Sequence, residues 1–178
     1  RLDGVTIGGT SFNTGGNNLW LLHGLTLADG VTVNKGGQNW YFDGQNSGEA
    51  AGTVQHLAST GNATVNNAGG ALVMCAANGQ TLQVDSGVTL RGYGALSQNW
   101  GGGTIINDGA VNADTPRPHF TINAATFVNR GPLNVNRAAH TLDARRGTTP
   151  ARLTAHNPTL TPPPPPHAPP LHPPQPRR

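Results

Sequence analysis

The sequence predicts an all-β fold: a parallel β-helix, a solenoid of about six rungs over residues 1–136, followed by a disordered proline-rich tail over 137–178. Three observations predict it. The phrase Ile105-Ile106-Asn107-Asp108-Gly109-Ala110-Val111-Asn112-Ala113 recurs 22 residues later as Phe127-Val128-Asn129-Arg130-Gly131-Pro132-Leu133-Asn134-Val135. A fixed period of this size marks a solenoid. The chain holds 25 glycines and 15 prolines but only 11% charged and 5% aromatic residues, a composition of short strands and tight turns. Within each phrase the apolar residues alternate, so one set of side chains points inward and the next outward.

Earlier rungs follow by aligning the turn glycine. Asp3-Gly4-Val5-Thr6-Ile7 comes first. Leu25 to Val33, Leu57 to Val65 and Leu82 to Leu90 come next, then the opening pair. The aligned glycines are Gly4, Gly30, Gly61, Gly87, Gly109 and Gly131, spaced 26, 31, 26, 22 and 22 residues apart. Rungs keep their strands and one tight turn while other loops lengthen. Leu25, Leu27, Val31, Val33, Leu82, Val84, Val88 and Leu90 are expected inside; Thr26, Thr32, Gln83 and Thr89 outside. Asn107 and Asn129 are expected to stack as an amide ladder at the bend. The glycines are expected to supply positive φ. The position before each glycine reads Asp29, Thr60, Ser86, Asp108, Arg130, which makes Asp108 and Arg130 cross-rung neighbours. Two Gly/Asn-rich insertions interrupt the pattern, one before Leu19-Trp20-Leu21-Leu22 and one around Trp40-Tyr41-Phe42.

Charge separates the two parts. Residues 1–136 carry Arg1, Lys35, Arg91, Arg117 and Arg130 against seven acids, a net of −2; residues 137–178 carry six Arg against Asp143, a net of +5. The repeat region has no basic stripe, so no nucleic-acid partner is expected. No apolar run is long enough to span a bilayer, so no membrane insertion is expected. After Asn136 the alternation stops, and residues 157–178 hold 11 prolines, which cannot continue a sheet. A proline-rich linker and a shifted reading frame in a GC-rich gene both fit that change; sequencing the locus separates them. The chain opens at Arg1 with no leader-like segment. It reads as an internal piece that continues into further rungs of a longer protein, and a missing leader does not argue against secretion.

Catalysis on such a scaffold needs two or three carboxylates on neighbouring rungs. The alignment brings no two together, and Asp43 and Asp85 lie off the column without a visible partner. His23, His56 and His119 are isolated, Glu49 is the only glutamate, and no metal-ligand spacing occurs. Gly15-Gly16 and Gly101-Gly102-Gly103 lack the residues of a phosphate loop. No cofactor and no metal are expected, and the segment is read as non-enzymatic. Cys75, the only cysteine, is expected to be a small core residue. Gln38-Asn39-Trp40 and Gln98-Asn99-Trp100 repeat a tripeptide. Trp40, Tyr41 and Trp100 are therefore the candidate glycan contacts; the competing role for both tryptophans is to cap the interior where a loop leaves the helix. Ice binding would require regular Thr-x-Thr ranks, and the outward positions are mixed.

Thr104 to Ala113 and Thr126 to Val135 fit the pattern x-Φ-x-N-x-G-x-Φ-N-Φ, where Φ is apolar. They resemble the repeats of large secreted bacterial surface proteins, the passengers of autotransporters and filamentous-haemagglutinin-like adhesins. The resemblance implies a right-handed β-helix, secretion to the bacterial outer surface, structural or adhesive work, and a host or matrix glycan or protein as partner. The alternative is a carbohydrate-active, pectin-lyase-like enzyme or a glycan-binding fragment.

Overall fold

A computed structural model describes residues 1–44, 48–75, 79–99, 103–115, 120–135 and 143–145. In chain order the strands are β1 (Leu2–Ile7), β2 (Ser11–Asn13), β3 (Leu19–Leu27), β4 (Thr32–Gly36), β5 (Trp40–Phe42), β6 (Val54–Ser59), β7 (Ala63–Cys75), β8 (Thr81–Val84), β9 (Val88–Asn99), β10 (Thr104–Asn107), β11 (Ala110–Ala113), β12 (Phe120–Asn123), β13 (Thr126–Asn129), β14 (Leu133–Val135) and β15 (Asp143–Arg145). The pairings are parallel and wind the chain around three faces. The first face stacks β1, β3, β6, β8, β10 and β13. The second stacks β2, β4, β7, β9, β11 and β14. The third runs from the first half of β3 through β5, the ends of β7 and β9, and β12 to β15. Six strands on a face give about five full turns, a rod roughly 24 Å long at the parallel-strand spacing.

The alternation read in the sequence is the wall of this solenoid. Leu25, Leu57 and Val84 share one inward column, and Val33, Val65, Leu90, Val111 and Leu133 share another. All are buried, and each such side chain contributes roughly 1.5–3 kcal/mol. The 22-residue phrase stacks residue on residue: Thr104 to Asn107 on Thr126 to Asn129, and Val111 to Ala113 on Leu133 to Val135.

The single column of turn glycines does not hold. Val5 pairs with Leu25 and Ile7 with Leu27, so Gly4 falls beside the His23-Gly24 bend and not beside Gly30. Asn107 pairs with Val84 but Ala110 pairs with Thr89, because the later corner is shorter than the one below it. Gly109 therefore lies over Val88, and the column Asp29, Thr60, Ser86, Asp108 is broken. The role of the glycines also differs from expectation. Gly30 and Gly87 adopt positive φ (74° and 89°). Gly131 does not; a Cβ there would collide with the Gly109 carbonyl oxygen. It is glycine because two rungs touch at the corner.

Strand β15 pairs with β12, so parallel pairing reaches past residue 136. Trp100, His119, the side chain of Cys75 and the proline-rich stretch after 145 lie outside the described residues.

Candidate functional site

The second face presents a regular polar surface. Its strands alternate, so Val33 and Val65 point inward and their neighbours outward. Ser11, Thr32, Thr64 and Thr89 stack in one outward column; Asn13, Asn34, Asn66, Arg91, Asn112 and Asn134 stack in the next. The amides bond along the axis. Asn34 Nδ2 donates to Asn13 Oδ1 at 2.9 Å, Asn66 Nδ2 to Asn34 Oδ1 at 2.9 Å, and Asn134 Nδ2 to Asn112 Oδ1 at 2.7 Å. Arg91 interrupts the ladder and is held by Asp114, with Nη2 at 2.6 Å from Oδ2. The expected ladder at the bend also forms: Asn107 Nδ2 donates to Asn129 Oδ1 at 2.8 Å. Asn107 is fully buried.

The acids are drawn into cross-rung contacts. Asp108 accepts from Gln83 Nε2 at 2.9 Å and lies 3.3 Å from Arg130 Nη1, the neighbour expected for it. Asp85, without a visible partner in the sequence, lies 2.9 Å from His56 Nδ1. His23, isolated in the sequence, lies 2.6 Å from Asp3 and 3.9 Å from Glu49. The His56–Asp85 and His23–Asp3 partners stand 20 or more residues apart along the chain, one turn of the solenoid, which spacing along the sequence alone does not display. His23 takes φ of 56°, uncommon outside glycine, and the bend aims its ring at Asp3. The hydrogen bond to Asp3 raises the His23 pKa above its usual 6.5. Among the described residues no group of three His, Cys, Asp or Glu is placed to hold a metal ion.

Lys35 enters the sequence reading only as a charge. In the structure it is fully buried where the second face turns toward the third. Nζ donates to Asn67 Oδ1 at 3.0 Å, to the Gly69 carbonyl at 2.9 Å and to the Gln38 carbonyl. Burial lowers its pKa to about 8. The signal is present in Val33-Asn34-Lys35, since the same alternation that buries Val33 turns Lys35 inward.

The aromatic candidates separate. Trp40 is fully buried, between Leu19 and Leu72 in its column, and so fills the core. Tyr41 points the other way and stacks on Trp20, with ring centroids 4.5 Å apart and planes 20° from parallel. Trp20 is 40% exposed. The repeated tripeptide points to Trp40 and passes over Trp20. Alternation is the better guide: Trp20 lies between Leu19 and Leu21, and Tyr41 between Trp40 and Phe42. The Tyr41 ring is anchored by Asn39 Nδ2, which donates to its hydroxyl at 3.0 Å, while Asn39 Oδ1 accepts from the Ala71 amide at 2.8 Å. A cavity of about 350 Å³ opens beside Trp20, lined also by Arg1, Leu22 and Asp43.

The arrangement thus offers a flat hydroxyl-and-amide face and an aromatic shelf with a polar wall. Comparison with protein-family models, with curated proteins and with solved structures finds no match, so the fold stands as a parallel β-solenoid on its own geometry.

Proposed function

We propose that the chain is a non-enzymatic structural or adhesive segment of a bacterial cell-surface or secreted protein. It acts as a stiff spacer that offers its second face as a contact surface to a host or matrix glycan or protein. The observation that carries this reading is the axial amide ladder beside the hydroxyl column, in register over successive rungs. Such a face holds donors and acceptors at a fixed spacing, which suits an extended partner lying along the rod. The acids support the same reading. Asp3, Asp85, Asp108 and Asp114 each meet a base or an amide, whereas a hydrolase keeps two carboxyls poised about the scissile bond. Secretion and the autotransporter or haemagglutinin-like assignment rest on the repeat phrase.

The test is labelling of intact cells of the source bacterium with an antibody against residues 1–136. Surface labelling without permeabilisation is expected. Labelling that appears only after lysis overturns the surface assignment. Release of new reducing ends from polygalacturonate by the purified chain would replace the structural reading with the enzymatic alternative.

A further inference from the structure

We infer that the break in the amide ladder at Arg91 is a binding notch for a uronate, a sugar ring that carries a carboxylate and neighbouring hydroxyls. The inference deepens the contact-segment reading, on which it rests, by giving the second face a ligand class and a place. The notch lies inside the stack, because β9 is paired with β7 on one side and with β11 on the other. Arg91 is the register partner of both Asn66 and Asn112. The ladder amides all donate in one direction, Asn66 to Asn34 and Asn134 to Asn112. In an unbroken column Asn66 Oδ1 would accept from the rung above it, and Asn112 Nδ2 would donate to the rung below. Arg91 serves neither amide. Its Nε lies 2.9 Å and its Nη2 2.6 Å from Asp114 Oδ2, so the guanidinium is drawn aside. Among the described residues, neither Asn66 Oδ1 nor Asn112 Nδ2 meets a hydrogen-bond partner.

The groups at the break select the ligand. Asn66 offers an acceptor, and Asn112, two rungs and roughly 9–10 Å away, offers a donor. Arg91 adds the Nη1 donors that Asp114 leaves unused, on a side chain 53% exposed. Asp114 is itself fixed, because its other oxygen accepts from the Gly92 amide at 3.1 Å. The guanidinium plane is therefore set before a ligand arrives, and a planar donor fork matches a carboxylate. A carboxylate only accepts, so alone it leaves Asn66 Oδ1 unserved; a hydroxyl beside it supplies the donor. A uronate carries both groups on one stiff ring and presents them at a single ordering cost, whereas an acidic peptide has to immobilise several rotatable side chains. Residues 1–136 carry a net charge of −2, so the rod does not draw in a densely charged polymer from a distance. That favours a glycan with one carboxylate per disaccharide over a sulfated one.

The experiment is a calorimetric titration of the 178-residue chain with oligosaccharides that alternate glucuronate and N-acetylglucosamine. The same oligosaccharides with each carboxyl reduced to an alcohol serve as the comparison. Saturable binding at millimolar concentration or below is expected, weakened about tenfold or more by carboxyl reduction. Arg91→Asn should weaken it by a similar factor, because an amide at this position continues the ladder and closes the notch. Arg91→Lys, which keeps the charge but not the planar fork, should weaken it less than Arg91→Asn. Far-ultraviolet circular dichroism establishes that each variant keeps the solenoid, which is expected for an exposed side chain replaced by the residue type of its own column. Absence of saturable binding by the folded wild-type chain overturns the inference. So does binding that either carboxyl reduction or Arg91→Asn leaves unchanged. None of these results bears on surface display, which the antibody experiment reads separately.

Discussion

At the scale of single residues, two titratable side chains carry predictions. Lys35 is buried with a pKa lowered to about 8, against 10.5 in the unfolded chain. Between those values the unfolded chain binds more protons than the native one, so stability should rise with pH across that window. The rise is on the order of 3 kcal/mol at most. Urea titrations at pH 7.5 and at pH 10 would measure it, and Lys35→Met should flatten the slope. The same substitution should destabilise the chain at neutral pH by roughly 3 kcal/mol, since it leaves the Asn67, Gly69 and Gln38 oxygens without their donor. His23 behaves in the opposite sense. Its pKa is raised by Asp3, so the stabilisation from that contact is complete below the unfolded value of 6.5 and is lost as pH rises through the folded value. An NMR titration should find the His23 midpoint above 6.5 and return it toward that value in Asp3→Asn.

At the scale of the turn and the strand, glycines of similar sequence context do different work. Gly30 has open space where a Cβ would lie but a φ of 74°. Gly30→Asn should therefore be tolerated better than Gly30→Ala, which should cost about 1–2 kcal/mol. Gly131 has no such φ, but its Cβ would collide with the Gly109 backbone. Alanine and asparagine should both be poorly tolerated there, by about 1–3 kcal/mol in thermal or urea unfolding. This is also where the legibility of the sequence divides. Strand faces are readable, because period-two alternation is imposed locally by backbone geometry: Val33, Leu82, Val84 and Leu90 lie where the pattern puts them. Corners are not. A corner can gain or lose residues without disturbing the strands on either side, so Gly4 and Gly109 leave the column in which the sequence aligns them. Cross-rung contacts such as His56 with Asp85 depend on those corner lengths and stay hidden in the sequence, whereas Asp108 with Arg130, in the regular 22-residue pair, does not. Trp20 is hidden for another reason: a repeated tripeptide singles out Trp40, whose own neighbours already indicate its inward direction.

At the scale of the whole molecule, each rung touches only the rungs above and below it. Stability is then close to a sum of neighbour terms. The longest ladder joins β7 to β9 in the middle of the stack, and both of its strands are paired on each side. Amide hydrogen exchange should be slowest along Val65 and Leu90 and fastest in β1, β2 and β14, where one edge has no described neighbour. Uniform protection from end to end would contradict the neighbour-sum picture and indicate a single cooperative unit. The same stacking sets how the rod would respond to load. Pulled between its two ends, it has no crosslink among the described residues joining distant turns, and the tie from one turn to the next is a row of parallel backbone bonds and amide rungs. It should peel one turn at a time, giving a sawtooth of similar peaks in a force–extension trace. A turn of 22 residues, the spacing of the last two phrases, would release roughly 70 Å of slack at each peak, so that a contact held by the second face could yield in steps and absorb a tug without breaking.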